Sequence, residues 1–250
     1  MQSRWKQYVA KLLDEDHSEE ELILKQAKEY INTAFHKNWV EFYQPTYDPN
    51  KYFSEITEQV CRKNTSERFD FIRKNLETAE ISSYLDIGSQ IGYFVFKMNE
   101  WKGAYSIGME MDRIAHNIAQ NISLANKIDN VGFINGKISV ENVKLLPKVD
   151  VISFLNVFHH INHFENFKAA DSIVKSLLSK CKYFIFETGQ YNEKGYYWTD
   201  ALSFMGDNSD EWVYSYLQES GFEIINTTSF GTHLSEKKRL FCICKSMANS

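Results

Sequence analysis

Tyr84-Leu85-Asp86-Ile87-Gly88-Ser89-Gln90-Ile91-Gly92 is the stretch from which the rest of the chain is read. An apolar run ends in an acid, and a loop bounded by two glycines then opens an apolar segment over 93–101 with helical spacing. The pattern is strand, tight turn, helix. Glycine at 88 permits the turn and lets a ligand approach the backbone closely. The spacing G-x-x-x-G is not the G-x-G-x-x-G of a pyrophosphate cradle, and a carboxylate at Asp86 would repel a phosphate. An acid there suits a cationic or hydroxyl-bearing ligand.

Toward the C-terminus the same alternation continues. Strands are expected over 82–87, 104–110, 131–135, 149–156 and 183–187, and helices over 93–101, 112–127 and 164–178. The helix over 112–127 carries Ile114, Ile118, Ile122 and Ala125 on one stripe. Alternating strands and helices predict a parallel sheet covered on both faces. The end departs from this: a helix from about 210 stops at Gly221, and strand-like runs over 223–228 and 239–245 follow directly, which predicts an antiparallel hairpin at the sheet edge. The fold class is α/β, a doubly wound, seven-stranded, mostly parallel sheet with a C-terminal antiparallel hairpin and an N-terminal helical extension.

Toward the N-terminus the chain changes character. None of the eleven glycines precedes Gly88, and Pro45 and Pro49 mark the main break before it. Ser18 and Glu21 have the spacing of a capping box ahead of Leu24, Ala27, Ile31, Ala34 and Phe35. Ser66 is placed to cap a second helix carrying Phe69, Ile72 and Leu76. Residues 1–79 are read as a helical cap or extension and 80–250 as the ligand-binding domain. The 250 residues, 43% of them apolar and 24% charged, can bury a substantial core, and the net charge of −5 gives no general attraction to nucleic acid or anionic lipid. No apolar run reaches the length of a membrane span and the first residues do not resemble a signal peptide, so a cytoplasmic location is expected. Cys61, Cys181, Cys242 and Cys244 form neither a metal-type pair nor a disulfide framework, and the last two share a strand face.

In an open parallel sheet the ligand lies beyond the carboxyl ends of the strands. The second strand ends Gly108-Met109-Glu110, so that Glu110 stands beside the first loop, placed to accept hydrogen bonds from two ribose hydroxyls, with Met111 available to a flat purine. With Asp86-Ile87-Gly88-Ser89-Gln90-Ile91-Gly92, Gly108-Met109-Glu110 and the run from Asp150 through Asn156, His159 and His160 to Ile161, residues 80–250 resemble the class I S-adenosylmethionine-dependent methyltransferases. The resemblance implies S-adenosylmethionine as cofactor, with Asp86 and Gly88 near its methionine part and Glu110 on its ribose; Ser89, Gln90, Gly92, Met111, Ile138 and Asn156 complete the expected binding set. Lys137 stands where the family often has an acid for the adenine amino group. A lysine cannot accept that hydrogen bond, which leaves backbone groups near Ile138 or another side chain.

His159 and His160 follow the fourth strand, where imidazole is suited to serve as general base. Methyl transfer from a sulfonium is an in-line displacement that relies on alignment, and a hydroxyl acceptor must also lose its proton. The histidine pair resembles that of small-molecule and sugar O-methyltransferases, in which an acid after the fifth strand partners the histidine; Glu187 holds that place. The expected acceptor is a small molecule or sugar, with N-methylation of an amine or a non-catalytic scaffold as alternatives. His159, His160, His163 and Glu165 also allow a metal site, but no metal is assigned because the stretch reads as a strand-to-helix turn. The connection over 188–208, with Tyr191, Tyr196, Tyr197, Trp198 and Phe204, reads as an acceptor-side wall or lid or as a small satellite core. Tyr43, Tyr47 and Tyr52 are candidates to face the same cleft. Arg62, Lys63, Arg68, Arg73 and Lys74 alternate with acids and read as a solvated helix face, so no nucleic-acid partner is expected.

Overall fold

A computed structural model of the chain describes residues 18–39, 44–53, 64–232 and 237–249. Its elements run α1 (Glu19–His36), α2 (Thr65–Asn75), β1 (Ser83–Ile87), α3 (Tyr93–Lys102), β2 (Tyr105–Glu110), α4 (Arg113–Ala125), β3 (Val131–Asn135), β4 (Val149–Leu155), α5 (Phe158–Phe164), α6 (Phe167–Leu178), β5 (Cys181–Glu187), a 3-10 stretch (Thr199–Met205), α7 (Ser209–Glu219), β6 (Phe222–Gly231) and β7 (Lys238–Ser246). The strands form one sheet in the order β3-β2-β1-β4-β5-β7-β6. β1 to β5 are parallel, and β7 runs antiparallel to both β5 and β6. The expected hairpin is therefore present, with its second strand inserted against β5. The order reverses between β1 and β4, which opens a crevice at their carboxyl ends.

The period-two alternation of the strands sorts their side chains onto two faces. Leu85, Ile87, Ile152, Phe154, Phe184, Phe186, Cys242 and Cys244 pack with α6 and α7 on one face. Tyr84, Val151, Ile185, Phe241 and Ile243 pack with α2 and α3 on the other. Cys242 and Cys244 thus share a face as expected, and burial pushes their thiols above the ordinary range, to about 12 for Cys242. On the flank, Ala27, Ile31 and Ala34 of α1 bury against Ala115, Ile118 and Ile122 of α4. Ser18 caps α1 with both bonds of the capping box in place.

Two local expectations are corrected. Ser66 does not cap α2: the helix starts at Thr65, so Ser66 already lies within the first turn, and the N-cap position falls on Asn64 with a left-handed backbone and no side-chain cap bond. The stretch after β4 is not a bare turn into a helix over 164–178. Asn156 takes a φ of +60° and redirects the chain, Phe158 and Ile161 bury at helical spacing to form α5, and Asn166 caps the separate helix α6 through Ala169 N. Tyr43, Cys61, Arg62 and Lys63 lie outside the described residues.

Candidate functional site

At the β1 exit, Gly88 has φ +81°, and a Cβ there would lie 2.6 Å from Val157 Cγ2, so both backbone and packing demand glycine. The amides of Gly88 and Ser89 both donate to Met109 O, at 2.8 and 3.1 Å, which ties the loop to the end of β2. Gln90 N donates to Glu110 Oε2 at 2.8 Å and Asp112 N to Oε1 at 2.7 Å. The Glu110 side chain is thus fixed beside the loop, each oxygen retaining acceptor capacity. Burial raises its carboxyl above the ordinary value, partly offset by these backbone bonds. Asp112 in turn caps α4 through Ile114 N and Ala115 N.

Asp86 is fully buried. Ser153 on the neighbouring strand donates to its Oδ1, and Tyr84 shares a hydrogen bond of 2.6 Å with the same Ser153 hydroxyl. Asp86 Oδ2 and Ser89 Oγ are sealed without a partner. Desolvation, reduced by the Ser153 bond and reinforced by the charge of Glu110, pushes the Asp86 carboxyl up to about 7. Met111 is largely exposed, whereas Ile138 is buried in the core with Met109 and Val143. Lys137 pairs with Glu165 at 2.6 Å. Among the described residues no group of three or more His, Cys, Asp or Glu is arranged to hold a metal ion.

Beyond β4, β5 and β7 the geometry is different. Glu187, wholly buried, is held in a fork by Arg68, with Nη2–Oε1 2.7 Å and Nε–Oε2 3.1 Å, and it accepts Asn156 Nδ2 at 2.8 Å. Asn156 Oδ1 accepts from Arg239 Nη1 at 2.8 Å, and Arg239 forms a second fork with buried Glu193. Two ion pairs are thus joined through one amide. Arg68 is partly buried and is not the solvated residue expected; it shares its helix with Arg73, which is exposed and pairs with Asp70. The alternation of charges along α2 concealed this difference. Arg239 and Glu193 carried no signal in the sequence, since each is one charged residue among many until folding brings them together.

The carboxylate of Glu187 is therefore occupied by Arg68 and Asn156, and the histidines take their contacts from the residues after it. His159, 2% exposed, receives Gly189 N on Nδ1 at 2.9 Å and lies 3.3 Å from Thr188 Oγ1. His160 Nδ1 lies 3.2 Å from Tyr197 Oη. The two imidazoles are adjacent, with ring centroids 4.2 Å apart. Burial, followed by the neighbouring positive groups, holds His159 well below its ordinary value and lowers His160 to about 4. Both rings are neutral at pH 7.

The connection over 188–208 belongs to the main core. Trp198, Leu202 and Met205 are buried in the same cluster as β4 and β5, and Asn162 Nδ2 anchors the segment through Ala201 O at 2.7 Å. Tyr197 remains exposed at its outer side. In the front section Tyr47 stacks on Phe96, Tyr52 packs with the α1–α4 cluster, and Gln44 Oε1 accepts Tyr93 N at the start of α3. At the opposite, amino end of the sheet is a shallow cavity of about 520 Å³. Asp150 there is saturated by Ser82, Ser83 and Lys182.

No family model and no curated protein matches the sequence. Solved structures do. The bifunctional kinase-methyltransferase WbdD superposes with a TM-score of 0.68 at 22% identity over 82% of this chain, which spans only 44% of the WbdD chain. A SAM-dependent methyltransferase from Aquifex aeolicus gives 0.53 at 16% identity, covering 77% of this chain and 97% of that one. Magnesium protoporphyrin IX methyltransferase (ChlM) from Synechocystis PCC 6803, solved with bound SAM, gives 0.56 at 15%, covering 89% and 96%. The strand order and these superpositions together show that the chain has the Rossmann-like class I methyltransferase fold.

Proposed function

We propose that the protein is an S-adenosylmethionine-dependent methyltransferase that acts on a hydroxyl of a small molecule or sugar, with His159 or His160 taking up the hydroxyl proton. The observation that carries the cofactor reading is the β1–β2 corner. Glu110 is fixed by two backbone amides with acceptor capacity to spare, next to two sealed polar atoms, Asp86 Oδ2 and Ser89 Oγ, that lack partners. Glu110 would hold the ribose hydroxyls, the Gly88–Gly92 loop and Asp86 the amino-acid end, and Met111 and the backbone near Ile138 the purine, with Asn156 at the β4 side. The bound cofactor would supply an electrophilic methyl group on a sulfonium.

The acceptor half supports oxygen as the nucleophile. Two neutral imidazoles stand beyond β4, and the charges around them are neutralised within the Arg68–Glu187 and Arg239–Glu193 pairs. A ring with a pKa near 4 remains competent, because a hydroxyl oxygen forming its new bond to carbon gains positive charge and becomes far more acidic than that imidazolium. Glu187 would act through Asn156 and the strand end, as a positioning residue. Among the described residues no helix is long and apolar enough to cross a membrane.

Calorimetric titration with S-adenosylmethionine, S-adenosylhomocysteine and NAD, repeated on Glu110→Ala, tests the reading. Micromolar binding of the adenosyl ligands alone, weakened in the variant, is expected. Failure of both to bind, or affinity indifferent to Glu110, would overturn it.

A further inference from the structure

We propose that the adjacent imidazoles have fixed and opposite roles, His159 as a permanent hydrogen-bond donor through Nε2 and His160 as the group that receives the acceptor's proton. The proton transfer rests on the methyltransferase reading; the two tautomers do not.

The argument begins with the amide of Gly189. A backbone N–H can only donate, and Gly189 N points at His159 Nδ1 from 2.9 Å, so that nitrogen keeps its lone pair and the neutral ring carries its hydrogen on Nε2. A hydrogen on Nδ1, in the other tautomer or in the cation, would face the amide hydrogen. The surroundings oppose the cation further, since the ring is buried, His160 is adjacent and Arg239 is nearby. The amide itself is held in place. A Cβ on Gly189 would lie 2.3 Å from the Trp198 ring, so only glycine fits beneath it. Trp198 is buried, packs on His159 with centroids 4.3 Å apart, and stacks on Tyr196, with the Arg239 guanidinium 5.2 Å from both of those rings. His159 is thereby locked from two sides by the connection over 188–208.

Among the described residues no backbone amide donates to the His160 ring. Its Nδ1 meets the Tyr197 hydroxyl at 3.2 Å, a group that can accept as well as donate. The arrangement in which Tyr197 accepts the Nδ1 hydrogen leaves Nε2 of His160 with its lone pair, and in it Tyr197 is the positioning residue. The groups around His160 are His159, His163, Tyr197 and the paired Arg239. In the transfer, the acceptor oxygen forms a bond to the methyl carbon as the carbon–sulfur bond breaks with its electron pair left on sulfur. The hydroxyl proton passes to His160 Nε2 and from there to water. His159 Nε2–H, unable to accept, donates a hydrogen bond to an acceptor oxygen.

Two-bond proton–nitrogen correlation spectra of the full chain labelled with ¹⁵N-histidine test this without any methyl acceptor, the signals being assigned with His159→Gln and His160→Gln. Expected are an Nε2–H form of His159 that does not titrate between pH 5.5 and 8, and an Nδ1–H form of His160. Tyr197→Phe should return His160 to the Nε2–H form that free imidazole prefers and leave His159 unchanged, whereas Gly189→Ala should release His159 from its single form. Tyr197 is 63% exposed, so its variant tests the proposal even if Gly189→Ala does not fold. An Nδ1–H form of His159, an Nε2–H form of His160 in the unaltered protein, or a Tyr197→Phe spectrum with His160 unchanged would overturn the assignment. Titrating S-adenosylhomocysteine into the same sample separates the two claims: predicted tautomers without binding would remove the methyl-transfer reading and support the tautomers, and binding with reversed tautomers would do the opposite.

Discussion

At the exits of β1 and β2 the bonds that fix Glu110 span short lengths of chain, 2 residues from Asp112 to Glu110 and 20 from Gln90 to Glu110. At the exits of β4, β5 and β7 they span 31 residues from Asn156 to Glu187, 83 from Arg239 to Asn156 and 119 from Arg68 to Glu187. The first region also leaves Asp86 Oδ2 and Ser89 Oγ sealed and unpaired, while the second binds all four of its charged groups in forks. On the proposed reading the first is a receptacle that holds a ligand through Glu110. The second is a frame whose charges are already paired on the acceptor side.

The contrast can be broken most forcefully in the frame. Arg239→Met would leave the buried Glu193 carboxylate uncompensated and should destabilise the fold by about 3–5 kcal/mol in urea unfolding at pH 7. A loss below about 1 kcal/mol would mean that the frame is not closed.

Asp86 gives the next largest effect, on the receptacle. Its folded-state pKa of about 7 lies above the ordinary carboxylate value, so between about pH 4 and 7 the folded chain holds a proton that the unfolded chain has released. Stability contributed by the neutral carboxyl is therefore present at low pH and declines as pH rises through that window. Asp86→Asn removes the titration, and its stability relative to the parent should increase from pH 4 to 7 by an amount on the order of 3 kcal/mol. Parallel pH profiles would place Asp86 in contact with water.

Glu110→Gln removes the charge and sets an amide donor against one of the two backbone N–H groups that Glu110 accepts. Affinity for S-adenosylhomocysteine should fall by about 1.5–3 kcal/mol, and the urea midpoint should fall with it through the lost backbone bond. The smallest effect is expected at Asp112, whose side chain accepts Ile114 N and Ala115 N: Asp112→Ala should cost about 1 kcal/mol of stability in urea through the lost cap.

The same contrast explains what could be read before folding. Asp86, Gly88 and Glu110 were legible because each ends or follows a short apolar run, and adjacent parallel strands bring their ends together without further information. The period of two likewise gave the shared face of Cys242 and Cys244 on β7. Arg68 was not legible, since Glu67 and Asp70 beside it imitate a solvated helix, and its partner lies beyond four intervening strands of sequence. Asn166 was missed as the cap of α6 because the histidines before it obscured a short helix that Phe158 and Ile161 stabilise by burial. Glu187 was found by position, and its partners were not, because which of many arginines reaches a buried acid is decided by tertiary packing.

The most direct test of the central claim is a crystal structure with S-adenosylhomocysteine. The account predicts the ribose hydroxyls on Glu110, the amino-acid end at the Gly88–Gly92 loop beside Asp86, and the sulfur facing the His159–His160 pair. Crystals grown at saturating ligand with that corner empty, or with the ligand bound elsewhere, would contradict it.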